Sequence, residues 1–182
     1  MNLKEEQLEK EYVYTGRIIK LRKDKALLPD GTTATREVIE HTGGVCVAAI
    51  DSDDNVLLVK QYRYPYSEEI LEIPAGKRDS KDEDPLVCGK RELKEETGAT
   101  ASEYKFLGKL YPTPGYCGEI IWLYAAKGLT FGESKPDEDE FLTVEKMKLD
   151  TLVEKILHGE ICDAKTQAAV LKLKILRSRG EF

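Results

Sequence analysis

Residues 71–99 read LEIPAGKRDSKDEDPLVCGKRELKEETGA, and the order of features in this stretch decides the fold. Leu71-Glu72-Ile73-Pro74-Ala75-Gly76 is a short strand ending in a loop. Asp84-Pro85 then starts a helix, because Asp is a good N-cap and Pro is tolerated at the first helical position. The helix runs to about Thr97, and Gly98 is its natural stop. Glu92, Glu95 and Glu96 stand at i, i+3 and i+4, so three carboxylates share one face. Like charges so placed destabilise an isolated helix by about 0.2–0.5 kcal/mol per pair. A divalent cation reverses that balance, since hard oxygen ligands suit Mg²⁺ or Mn²⁺. The plain alternative is an acidic face that is simply solvated; the order of strand, turn, loop and helix favours the metal. Leu86 and Leu93, seven apart, mark a core face.

Working outward, Gly44 to Ile50 is a continuous apolar run that suits a strand buried on both faces. After the turn Asp51-Ser52-Asp53-Asp54-Asn55, Val56 to Gln61 returns, and the two strands are expected to form a hairpin. Tyr104 to Tyr111 and Ile120 to Ala126 are further strands, separated by the breaker Pro112-Thr113-Pro114-Gly115. An acidic loop from Ser134 to Glu140 precedes a strand at Leu142 to Met147. Leu149 to Leu157 and Asp163 to about Leu176 are helices, the second with Ala164, Ala168, Leu171 and Ile175 on one stripe. Ahead of all this, Tyr12 to Ile19, Leu21 to Leu28 and Thr32 to Glu40 read as a small antiparallel unit turned by Pro29-Asp30-Gly31. The expected organisation is an N-terminal β arm over residues 1–42 and a main domain over 43–182. Interleaved strands and helices point to an α/β fold with a mixed sheet rather than a doubly wound parallel one.

Composition narrows the function. The chain has 182 residues, 41% of them hydrophobic and 34% charged, with a net charge of −6. That makes it a poor nonspecific partner for nucleic acid or an anionic membrane. An anionic substrate would need a metal or a local group of Arg and Lys to offset the repulsion. No apolar run approaches the ~20 residues needed to cross a bilayer. The opening Met1-Asn2-Leu3-Lys4-Glu5-Glu6 lacks the apolar stretch of a secretion signal. Cys46, Cys88, Cys117 and Cys162 are far apart, which fits reduced thiols in a cytoplasm. Trp122 and the cysteines read as packing, and His41 and His158 have no partner pattern.

Gly76, Glu83 and Arg91-Glu92-Leu93-Lys94-Glu95-Glu96-Thr97-Gly98-Ala99 resemble the Nudix signature, with one departure: six residues, not five, separate Gly76 from the first acid. Counting forward from Gly76 puts Asp82 in that position, and counting back from the helix puts Glu83 there. Glu83 is preferred, because helix register is rigid and a loop absorbs an insertion. Glu72-Ile73-Pro74-Ala75-Gly76-Lys77, Gln61-Tyr62-Arg63, Pro114, Thr35-Arg36-Glu37 and Asp163-Ala164-Lys165-Thr166 are similar to the ADP-ribose pyrophosphatase branch of that family. The resemblance implies a Nudix-type α/β/α sandwich carrying the N-terminal β unit.

It also implies an activity: Mg²⁺-dependent hydrolysis of ADP-ribose to AMP and ribose 5-phosphate, with Mn²⁺ as a substitute. Another nucleotide sugar such as GDP-mannose, or a non-catalytic nucleotide-sensing module, are the alternatives. The metal ligands implied are Glu92, Glu95, Glu96 and the carbonyl of Ala75. Glu140, Glu95 and Arg91 fall in the catalytic set. Glu140 is the favoured base in the run Asp137-Glu138-Asp139-Glu140, with Glu138 and Asp139 as rivals, and Arg91 pairs with Glu83. Arg63 and Arg36 are implied to bind substrate, as is Glu138. Arg63 clamps a phosphate, and Arg36 reaches into the site of a second subunit in a homodimer that exchanges the arm. Tyr12, Tyr14 or Tyr116 could stack on adenine.

Overall fold

The computed structural model describes residues 2–136 and 140–182. Three strands open the chain: β1 (Glu6–Thr15), β2 (Lys20–Leu27) and β3 (Thr33–Glu40). Then follow β4 (Gly44–Ala49), β5 (Asn55–Arg63), β6 (Glu68–Glu72), β7 (Ala75–Lys77), α1 (Pro85–Thr97), β8 (Ala99–Leu110), β9 (Ile121–Phe131), β10 (Leu142–Lys148), α2 (Leu149–Leu157) and α3 (Ala164–Ser178). These elements fall into two compact units. One holds the residues through Gly43 together with Tyr111–Ile120; the other holds Gly44–Leu110 and Ile121–Phe182.

In the first unit β1, β2 and β3 form an antiparallel sheet in that order. Gly31 closes the β2–β3 turn at φ +85°, a conformation that costs Gly little. The Asp30 carboxylate accepts from the Thr32 N–H at 3.0 Å. β1 starts at Glu6, earlier than its aromatic residues suggest, and is exposed along its whole length. A strand solvated on both faces needs no apolar alternation, so its start left no pattern to read. Tyr111–Ile120 joins this sheet through Ile39, whose N–H donates to Tyr116 O at 2.7 Å and whose carbonyl accepts from Gly118 N–H at 2.9 Å.

The second unit is built on β4. A four-stranded sheet in the order β7-β4-β9-β8 runs β4 parallel to β9 and antiparallel to β7. Along β4 and into Ile50, Cys46, Ala48 and Ile50 point into one core with Leu152, Ile156, Ala169, Val170 and Leu173 of α2 and α3. Val47 and Ala49 point the other way, into a core with Leu93 of α1. This alternation makes the unit an α/β/α sandwich with a mixed sheet, and it explains the unbroken apolar run, since both faces are covered.

Two local expectations are corrected. β4 and β5 do not form a hairpin: β5 pairs with β10 and β6 in a second, three-stranded sheet, and only an isolated bridge joins Ile50 to Val56. The turn therefore carries the chain from one sheet to the other, and both sheets feed the cores: Leu58 joins the α2/α3 side and Leu57 the α1 side. The stripe on α3 is also rotated. Its buried residues are Thr166, Ala169, Val170 and Leu173, while Ile175 is exposed. Two overlapping apolar stripes exist on that helix, and the facing sheet selects between them.

Candidate active site

Helix α1 is set by its ends. The Asp84 carboxylate accepts from Leu86 N–H at 2.8 Å and Val87 N–H at 3.1 Å, with Pro85 at the first helical position. Gly98 ends the helix at φ +69°, where a Cβ would lie 2.3 Å from Gly132 O. Between these caps the buried side carries Cys88, Gly89, Glu92, Leu93, Glu96 and Thr97. Leu93 is fully buried, which contributes about 1.5–3 kcal/mol and fixes the rotation of the helix. That rotation turns Glu92 and Glu96 inward with Leu93. The acidic face is thus not an ordinary solvated one.

The β6–β7 segment meets these carboxylates. Ala75 N–H donates to Glu96 Oε2 at 3.0 Å. The Glu92 carboxyl lies against Gly76 so closely that a Cβ there would sit 2.0–2.3 Å from its atoms. Burial pushes the Glu96 carboxyl up to about 8; the Ala75 N–H opposes this and the Glu92 and Glu140 charges add to it. Burial likewise lifts Glu92 to about 7, against Arg91 and with Glu95 and Glu140. Glu140 is exposed, yet its charge acts on both.

Arg91 holds this acidic group together. Its Nη1 lies 2.8 Å from Glu92 Oε1 and 3.1 Å from Glu95 Oε2, and its Nη2 lies 3.7 Å from Glu83 Oε1. Burial would lower its pKa, but Glu92 and the neighbouring acids raise it above the ordinary arginine value. The contact with Glu83 matches the register counted back from the helix.

The structure brings a second charged group to the same region. Arg63 Nε and Nη2 grip Glu72 at 2.6 and 2.7 Å in a two-pronged fork. Lys165 also pairs with Glu72 and lies 2.9 Å from Asp163. Burial would lift Glu72, but the two cations hold it below the usual carboxylate value. Thr166 Oγ1 accepts from Ile73 N–H at 2.9 Å, so the start of α3 also pins the strand leading to Ala75. Electrostatic influence on Arg63 extends to Asp163 and Glu96. Neither Glu72 nor Lys165 has a role legible from its place in the sequence. They are 93 residues apart, and no spacing pattern links them.

Arg36 lies in the first unit, where its fork pairs with Glu5 at 2.6 and 2.9 Å. Tyr12, Tyr14 and Tyr116 are exposed. Glu138, with Asp137 and Asp139, lies outside the described residues.

Among the described residues, no three His, Cys, Asp or Glu side chains converge as a ready metal cage. The reason is visible: Arg91 Nη1 stands between Glu92 and Glu95, and Glu96 is turned to Ala75 N–H. The donor set nevertheless fits a hard divalent cation. It offers carboxylate oxygens, two of them desolvated and short of positive charge, and a Cβ-free cradle at Gly76 that lets Glu92 approach.

Known proteins place this geometry in a lineage. The NUDIX domain profile matches residues 40–166, and the nucleoside diphosphate sugar hydrolase N-terminal domain profile matches residues 5–39. The chain is 41% identical to the methanol dehydrogenase activator of Bacillus methanolicus, over 94% of this chain and 93% of that one. It is 36% identical to the ADP-ribose pyrophosphatase of Bacillus subtilis (strain 168), over 96% and 95%. A crystal structure of an ADP compounds hydrolase shares the fold at a TM-score of 0.84 and 23% identity, covering all of both chains. With the profile spanning well over half of its length and the signature residues gathered where β7 meets α1, this chain belongs to the NUDIX domain family.

Proposed function

We propose that this chain hydrolyses the pyrophosphate of ADP-ribose to AMP and ribose 5-phosphate, using Mg²⁺, with Mn²⁺ able to replace it. The observation that carries the reading is the pair of buried carboxylates, Glu92 and Glu96, set against Ala75 and Gly76 of β7 within electrostatic reach of Arg63 and Lys165. The 36% identity to an ADP-ribose pyrophosphatase supports the choice of substrate. A GDP-sugar such as GDP-mannose is the enzymatic alternative.

Hydrolases of this family use divalent metal ions. Bound at Glu92, Glu95, Glu96 and the Ala75 carbonyl, such ions would neutralise the two phosphates and lower the pKa of water. The side chains do the rest. Glu140, exposed yet electrostatically coupled to Glu92 and Glu96, takes the proton of the attacking water; Glu138 and Asp139 are its rivals. Arg63 offers its fork to a phosphate, and Lys165 keeps Glu72 neutralised when it does so. Arg91 holds Glu83 to the helix and spaces Glu92 from Glu95. We extend the proposal to a cytoplasmic homodimer that exchanges residues 1–42, which would deliver Arg36 to the neighbouring subunit's site.

Purified protein with Mg²⁺ should release AMP from ADP-ribose. A panel of nucleoside diphosphate compounds with no turnover at any divalent metal would remove the reading. A second reading, a module acting on a partner enzyme, is favoured by the relative named methanol dehydrogenase activator. Turnover by the isolated chain separates the two.

A further inference from the structure

Arg78 takes no part in the chemistry above, yet it is among the most buried charged side chains, at 5% exposure. A guanidinium in that position needs its donors occupied, because burying an unpaired cation is costly. Its Nε donates to Glu83 O at 2.9 Å, and its Nη2 donates to the carbonyls of Lys81 and Glu83. The guanidinium carbon stands 4.5 Å from the centroid of the Trp122 ring, whose face also meets Lys109 at 5.5 Å. Arg78 thus closes the loop between β7 and α1 from within, and this loop carries the extra residue between Gly76 and Glu83.

The loop is otherwise lightly held. Glu83 N–H reaches Ser80 O at 3.4 Å, and Asp82 N–H reaches Ser80 Oγ at 3.2 Å. Asp79 N–H donates to Glu83 Oε2 at 2.7 Å. The other Glu83 oxygen faces Arg91, which bridges Glu92 and Glu95. A continuous line of contacts runs from Trp122 through Arg78, the Glu83 backbone and carboxylate, and Arg91 to the acidic face of α1.

We propose that Arg78 is a positioning residue: clamped on Trp122, it closes the enlarged 79–83 loop so that Glu83 holds Arg91, and through Arg91 sets the separation of Glu92 and Glu95 for a divalent cation. The proposal rests on the metal reading of that face. Lysine cannot substitute, since one ammonium can neither span the two carbonyls as a fork nor lie flat on the indole. Loss of a group supporting metal ligands typically costs 10–100-fold in affinity, and that is the range expected here.

The test uses the full chain and Mn²⁺ as the probe. In Arg78→Lys, Mn²⁺ affinity, read by titration calorimetry and by the spectrum of the bound ion, should fall about 10–100-fold. Amide hydrogen exchange at Asp79 should quicken while exchange in β4 stays slow. In Arg78→Ala, low, non-denaturing guanidinium should restore Mn²⁺ affinity where sodium chloride of equal ionic strength does not. A merely structural role would not give that rescue. If Arg78→Ala does not fold, Arg78→Lys decides alone. Wild-type Mn²⁺ affinity in Arg78→Lys, or unchanged exchange at Asp79, overturns the proposal. The exchange measurement needs no metal, so it separates failure of the loop clamp from failure of the metal reading. A wild-type chain that binds no Mn²⁺ overturns the link to the metal even if the loop loosens.

Discussion

Substituting Glu96 by Gln should stabilise the metal-free protein at alkaline pH while abolishing its response to metal. Glu96 is 1% exposed, and its carboxyl titrates near 8 in the fold against an ordinary value of 4.5. A carboxyl with a raised pKa binds its proton more tightly when folded than when unfolded. The chain therefore loses stability as pH rises from about 4.5 to about 8, and no such loss occurs below that window. Full ionisation corresponds to roughly 5 kcal/mol, of which about 3 kcal/mol develops between pH 5 and 8. Glutamine keeps a carbonyl oxygen for the Ala75 N–H but has nothing to ionise. In chelator, the Tm of Glu96→Gln should exceed that of the wild type by roughly 10 °C at pH 8, and the gap should nearly close at pH 5. Saturating Mg²⁺ or Mn²⁺ should raise the wild-type Tm at pH 8 and leave the variant's unchanged, while the variant's kcat on ADP-ribose falls by orders of magnitude. Scanning calorimetry at both pH values, with and without metal, measures all of this. A variant less stable than wild type at pH 8 without metal, or a gap independent of pH, would refute the reasoning that Glu96 is held ionised only by a cation.

Three further outcomes follow from the same geometry. Gly76→Ala places a Cβ within 2.3 Å of the Glu92 carboxyl, so it should fold yet bind Mn²⁺ at least tenfold more weakly; unchanged affinity in a titration would show that Glu92 has room elsewhere. Glu140→Gln alters an exposed residue, so Tm should stay put while kcat drops by roughly 10²–10⁴; a near-normal rate would move the base to Glu138 or Asp139. Lys165→Met leaves Arg63 alone on the buried Glu72 and should cost about 3 kcal/mol in a urea titration, with no cost counting against a structural role for the pair.

Helix α1 was legible from end to end because its signals are local. Asp84, Pro85 and Gly98 act on backbone groups within a turn of themselves, and the spacing of Glu92, Glu95 and Glu96 follows from 3.6 residues per turn. The unbroken run of β4 announced a strand covered on both sides, and the covering helices are there. The β4–β5 relation was not legible, since a turn sequence is the same whether the chain doubles back or changes sheets. Nor was the Arg63–Glu72–Lys165 group, because Lys165 lies 93 residues beyond the Glu72 it pairs with.

The amino-acid order alone fixed what depends on neighbours along the chain: the caps, the helical stacking of three acids, and the signature that names the family. Tertiary packing decided which way that acidic face turns. Burial of Leu93 against β4 rotates Glu92 and Glu96 away from water and onto Ala75 and Gly76 of β7. An acid's chemistry is set by the medium and charges around it, and these come from residues far away in sequence; the same three glutamates on a solvated helix would be ordinary surface.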